Sequence, residues 1–146
     1  MALRLSTGLR QDLLGSADFK TKFTASFINI YSGSQPASAD SPATGTLLAT
    51  IYSDGAAIGV SFDAPVAGAI SKAAAQTWSG TAVATGTAGY YRLFEALDDP
   101  TLQSAVKARL DGAIATSGAE LNMSSTAIVA SAVQTITSFT VTLPAM

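Results

Sequence analysis

The chain has 146 residues, 10 acidic and 8 basic side chains, a net charge of −2 and neither Cys nor His, and its 48% apolar content suffices for the core of one domain. Without His or Cys there is no usual zinc site, no Ser-His or Cys-His nucleophile and no redox thiol, so no cofactor or metal is expected and no catalytic residue is assigned; chemistry would fall to carboxylates, Lys or Tyr. Eight scattered basic residues argue against direct nucleic-acid binding, and with only 12% charged residues the surface must be largely the 28 Ala, 17 Ser and 17 Thr, a neutral exterior that dehydrates cheaply against another protein.

Leu5, Leu9 and Leu13 recur at four-residue spacing, with Ser6 or Thr7 placed to cap a helix and Gly15 to end it, although Gly8 interrupts the pattern. Ser16 is placed to cap a second turn in which Phe19 and Phe23 stack at i,i+4. Residues 1–23 are therefore expected to form a short helical N-terminal segment or arm. Arg4, Arg10 and Asp12 break the apolar run from Met1 to Leu14, so neither a signal peptide nor a membrane span is read there; no membrane partner is expected, and synthesis is expected in the cytoplasm.

From Thr24 onward the chain reads as β, giving a domain over 24–146. Thr24–Ser32 is a near-continuous apolar run of strand length, followed by the Pro/Ser/Gly-rich loop Gly33–Gly45, long enough to suggest a functional role. Strands are expected at 46–53, 58–63, 69–72, 76–84 and 89–96, separated by turn signals at Asp54-Gly55, Ala64-Pro65, Gly86 and Asp98-Asp99-Pro100, with a candidate bulge at Ser79-Gly80. In 106–115, Val106, Ala108, Leu110 and Ile114 alternate with Lys107, Arg109 and Asp111, which predicts a strand with one packed and one wet face; a helix over 101–110 is the competing reading. Ala127–Leu143 reads as β, with Phe139, Val141 and Leu143 in phase with Val129 and Val133 and Ile128 and Ile136 on the opposite parity, so either both faces are partly covered or a bulge shifts the register near Thr137 and Ser138. Short strands at this spacing predict a mainly β fold, a single antiparallel sandwich or barrel.

The constellations with residue types suited to chemistry each have a plainer reading. Asp98, Asp99, Asp111 and Glu120 offer paired carboxylates of the kind glycoside hydrolysis uses, but Asp before Pro or Gly is itself a turn signal. Trp78, Tyr90, Tyr91 and Phe94 fit either a sugar platform or a packed core, and the core is favoured. Thr85-Gly86-Thr87-Ala88-Gly89 lacks the lysine of a phosphate loop, and Asn122-Met123-Ser124 fits the glycosylation triplet without any sign of secretion. Arg92 and Glu95 are candidates to pair within the subunit or across a contact.

Leu3–Arg10, Ile30–Asp40, Gly86–Phe94, Gly118–Ser125 and Ile136–Pro144 together resemble a family of small tailed-bacteriophage virion proteins, over nearly the whole chain. The resemblance implies a structural virion component: a capsid decoration (cement) protein on the major capsid protein, or else a tail or neck part or a receptor- or carbohydrate-binding module. A homo-oligomer, conceivably a trimer, contacting other virion proteins is expected. Leu5, Leu9, Leu13 and Leu14 then form a candidate arm for a neighbour, with packing across the chain's own β domain as the equal alternative. Gln35 and Pro36 of the long loop, and Arg92 and Glu95, complete the candidate interface.

Overall fold

The computed structural model describes residues 3–54 and 58–143; Gly55 of the expected Asp54-Gly55 turn lies outside the described residues. In chain order it contains β1 (Arg4–Leu5), α1 (Thr7–Gly15), α2 (Phe19–Lys22), β2 (Phe27–Ser32), β3 (Leu47–Ser53), β4 (Ala69–Ser71), β5 (Trp78–Thr81), β6 (Gly86–Phe94), β7 (Arg109–Ala115), β8 (Leu121–Met123), β9 (Ala127–Ile128) and β10 (Val133–Thr142). Seven strands in the order β7-β8-β10-β5-β3-β2-β6 close on themselves through the β6–β7 pairing. The protein is a closed, mainly β barrel with short helices near its N-terminus. Every pairing in the ring is antiparallel except β7 with β8.

An aromatic chain fills the interior. Phe62 meets Trp78 at 5.4 Å and Phe139 at 5.7 Å between ring centroids, and Phe139 meets Tyr91 at 5.2 Å. Trp78 is fully buried, and its indole N–H donates to Gln76 Oε1 at 2.9 Å, which satisfies the one polar atom that burial would otherwise strand. The ring of Tyr91 lies over Gly112 on the neighbouring strand, where an added Cβ would sit 2.6 Å from the phenol oxygen. Asp111-Gly112 is thus mid-strand, which corrects the turn reading: glycine serves here to admit an aromatic ring rather than to reverse the chain.

The N-terminal segment belongs to the same core. Ser6 caps α1, its Oγ accepting from Leu9 N–H at 3.1 Å, while Asp18 rather than Ser16 caps α2 through Thr21 N–H at 2.8 Å. Leu9 and Phe23 are fully buried, and Leu5 and Leu13 pack against the interior cluster. The interrupting Gly8 has a steric reason: a Cβ there would lie 2.4 Å from the Val106 carbonyl oxygen.

Three expected strands change form. Residues 58–63 make only isolated bridges, Ile58 to Ser53, Val60 to Ser26 and Phe62 to Lys72, so the segment crosses from one partner to the next instead of lying along a single strand. The 76–84 strand contracts to β5 because Gln76 turns inward to bond Trp78 and the Ser61 amide. The β region 127–143 divides into β9 and β10, and within β10 the register shifts between Ile136 and Ser138, which favours the bulge over the reading with both faces partly covered. Gln134 and Ile136 are buried before it and Phe139 and Val141 after it. Phe139→Ala is therefore expected to cost about 3–5 kcal/mol and Ile136→Ala about 2–5 kcal/mol in urea unfolding, whereas Thr137→Ala, between them and exposed, stays within ~0.5 kcal/mol.

Candidate interaction surface

The strand pair β6–β7 is buried on both sides. Leu93 and Leu110 face the interior, and on the outer side Arg92 and Asp111 are directly opposite in register, both with no exposed side-chain surface. Arg92 donates through Nε to Asp111 Oδ1 and through Nη2 to Oδ2, both at 2.7 Å, a bidentate fork on a carboxylate. Its remaining nitrogen, Nη1, donates to the carbonyls of Ser41 at 2.8 Å and Pro100 at 3.2 Å. Burial alone would lower the Arg92 pKa, but the Asp111 carboxylate more than offsets this and raises it above the ordinary arginine value.

Two pairs along β7, Arg109 repeats the arrangement with Asp98, Nε to Oδ2 at 2.6 Å and Nη2 to Oδ1 at 2.8 Å, and reaches the Asp99 carbonyl at 2.9 Å. The two guanidinium groups thereby hold two loops, 33–46 and 95–108, down over the outer face of β6 and β7. Loop bonds to loop as well, Ala43 N–H to the Pro100 carbonyl at 3.0 Å and Ser104 N–H to the Asp40 carbonyl at 2.9 Å. Asp40 then ties the first loop to α1, its two carboxylate oxygens accepting from Thr7 N–H and Thr7 Oγ1, each at 2.7 Å. Tyr90, stacked on Tyr31 at 5.2 Å, donates to the Thr44 carbonyl at 2.7 Å.

This arrangement corrects several expectations. The supposed wet face of 106–115 is buried at Arg109 and Asp111, because the two loops cover it, while Val106 on the supposed packed face is 74% exposed. Residues 101–108 are not helical. Arg92 pairs with Asp111, not with Glu95, since Asp111 stands opposite it in the ladder; Glu95 instead bonds Lys22 at 2.9 Å and Lys107 at 3.1 Å, and Lys22 also reaches Asp12 at 2.9 Å. Of the residues expected at an interface, Leu9, Pro36 and Arg92 are buried, Leu5, Leu13, Gln35 and Glu95 are half-buried, and Leu14 is 89% exposed. The arm reading yields to its alternative: residues 4–15 are built into the barrel, with Ser6 Oγ joining the Arg109 amide and the Lys107 carbonyl.

The candidate chemistry resolves likewise. Trp78, Tyr90, Tyr91 and Phe94 are all buried, so they form no sugar platform. Asp98 and Asp111 each give both oxygens to an arginine, and Asp99 accepts from Thr101 N–H and Oγ1 in a turn. Three large apolar side chains stay outside: Leu97, Leu102 and Val106 are 90%, 61% and 74% exposed, alongside exposed Asp99, Thr101 and Gln103, on a loop held by Arg92, Arg109 and Lys107. Sequence reasoning missed this patch and the roles of Asp40, Asp98 and Arg109; the available signal was a loop bounded by paired opposite charges in a chain with few of them.

Removing one member of the buried pair should be far worse than removing both. Arg92→Met leaves Asp111 buried and unpaired and is expected to cost about 3–5 kcal/mol in urea unfolding, most of which Arg92→Met with Asp111→Leu recovers. The Lys22 cluster sets a pH window. Lys22 is raised by its bonds to Glu95 and Asp12; Asp12 is lowered by Lys22; Glu95, which burial would raise, is brought below its ordinary value by Lys22 and Lys107. The carboxylate contribution is complete above the ordinary Glu value of 4.5 and is lost as pH falls through the lowered folded values; the lysine contribution is complete below 10.5 and is lost above it. The stability difference between the natural chain and Lys22→Met, about 1 kcal/mol near neutrality, should accordingly shrink on acidification below about pH 4.

No protein-family model, no curated protein and no solved structure matches the chain.

Proposed function

We propose that the chain is a structural protein of a tailed-bacteriophage virion, a capsid decoration protein that lies over seams between major capsid proteins and stabilises the shell. The sequence resemblance supports this reading. The observation that carries it is the anchored cap, in which two long loops are held on the barrel by Arg92 and Arg109 while Leu97, Leu102 and Val106 are left exposed.

A lattice protein makes small contacts repeated by symmetry, and each contact is weakened by any ordering it must impose on binding. Loops already ordered by buried ion pairs remove that cost. Scattered exposed leucines are ordinary on a soluble surface, but three large apolar side chains exposed on one anchored loop offer apolar area that a partner would bury.

The test is to separate heads from tails in virions assembled with the chain and to quantify it in each by mass spectrometry. The expected result is a fixed ratio to the major capsid protein in heads, falling at least tenfold for Leu102→Asp with Val106→Asp, a variant whose circular dichroism should be unchanged. Recovery in tails alone moves the assignment to a tail or neck component, and absence from virions overturns it.

A further inference from the structure

None of the 8 basic and 10 acidic side chains falls in residues 73–91 or 121–146. The barrel brings residues 73–91 and 121–143 together. Val133, Gln134 and Thr135 of β10 pair with Thr81, Gly80 and Ser79 of β5; Ala82 N–H donates to the Ala132 carbonyl and the Ala82 carbonyl accepts from Ser131 N–H; and β9 pairs with Gly86 and Thr87 at the start of β6. Their outward side chains form one face with no charged residue of its own. Val83, Val129 and Val133 are 67%, 60% and 65% exposed on it, amid exposed Thr81, Thr85, Thr87, Ala127 and Thr135. The face ends where charge begins, at Phe139 and Thr140, whose backbones bond Lys72 and Glu120.

We infer that this face is a homotypic interface, covered by a second copy of the same chain. In a two-fold contact each patch meets its own equivalent, so any charge near the axis faces its own sign in a dehydrated setting. A face cleared of both signs avoids that repulsion, whereas a contact with a different protein gains on-rate and selectivity from complementary charges, which this face lacks. Soluble monomers guard edge strands with lysine, other charges or proline. Among the described residues, β9 ends the sheet path with a partner on one side, and its surroundings there carry no such guard. Three exposed valines beside an unguarded edge are what a second copy would bury.

The inference refines the building-block reading above by assigning the self-contact to one face, distinct from the 95–108 loop, and it is read out without any virion. Light scattering with size-exclusion chromatography and native mass spectrometry of the purified full chain at tens of micromolar should give an oligomer. Val133→Asp and the double variant Val83→Asp with Val129→Asp should each weaken association at least tenfold and elute as monomers with unchanged circular dichroism; Val133→Lys serves as the second variant if Asp disturbs the strand. Leu102→Asp should leave the oligomer intact. As the chain has no cysteine, Val133→Cys carries a single thiol that a short bismaleimide should cross-link between copies, and Leu97→Cys should not. A natural chain that is monomeric at 100 µM, or valine variants that fold and still assemble, overturns the inference while leaving the particle-binding experiment to decide the virion reading.

Discussion

Two arginines on neighbouring strands, each forked onto an aspartate out of reach of water, are the constraint on which the outer half of this protein is built. A guanidinium has five N–H donors and cannot be deprotonated, so once buried it must be met by acceptors on every side. Asp111 and Asp98 supply the carboxylates, and the remaining donors find backbone carbonyls at Ser41, Pro100, Asp99 and Asp40. Those carbonyls belong to the two long loops, so satisfying the charge and ordering the loops are one event. Such pairs add little net stability compared with an apolar replacement; what they fix is geometry.

The molecule consequently has two buried layers of different character. Inside the barrel the side chains are aromatic and aliphatic, with Trp78, Phe62 and Phe139 at the centre. Outside β2, β6 and β7, beneath the loops, lie Tyr31, Tyr90, Asn29 and the ion pairs, all linked by directional bonds. The interior layer supplies the driving force through apolar burial, and the outer one holds the loops in a single arrangement. With so many charged groups drawn into pairs, much of the remaining surface is alanine, serine, threonine and valine, a composition suited to being covered.

The pattern of alternation carried the inner layer well. A parity switch between Ile136 and Phe139 is interpretable from sequence because a strand has a period of two, and only an extra residue keeps both side chains on one face. Likewise Phe19 and Phe23, four apart, meet at 4.8 Å between ring centroids, tilted by 60°, as one helical turn brings them together. The outer layer defeated the same reasoning at Arg109 and Asp111. Alternating charge in a strand ordinarily marks a solvated face, and nothing local indicates that loops from residues 33–46 and 95–108 will fold over it. Asp111-Gly112 has the form of a turn signal, yet here the glycine makes room for Tyr91, a neighbour 21 positions away in sequence.

What the sequence by itself determined is the class of fold, a short N-terminal helix with its cap narrowed to Ser6 or Thr7, a parity switch in the last strand, and a surface poor in charge, because each depends on residues within one or two turns of one another or on composition alone. The tertiary structure decided which strand closes the barrel, which aspartate each arginine meets, and which apolar side chains are left outside. Those outcomes rest on pairings between residues 11 to 103 positions apart, and hydrophobic periodicity specifies the face on which a side chain lies without specifying what will cover that face.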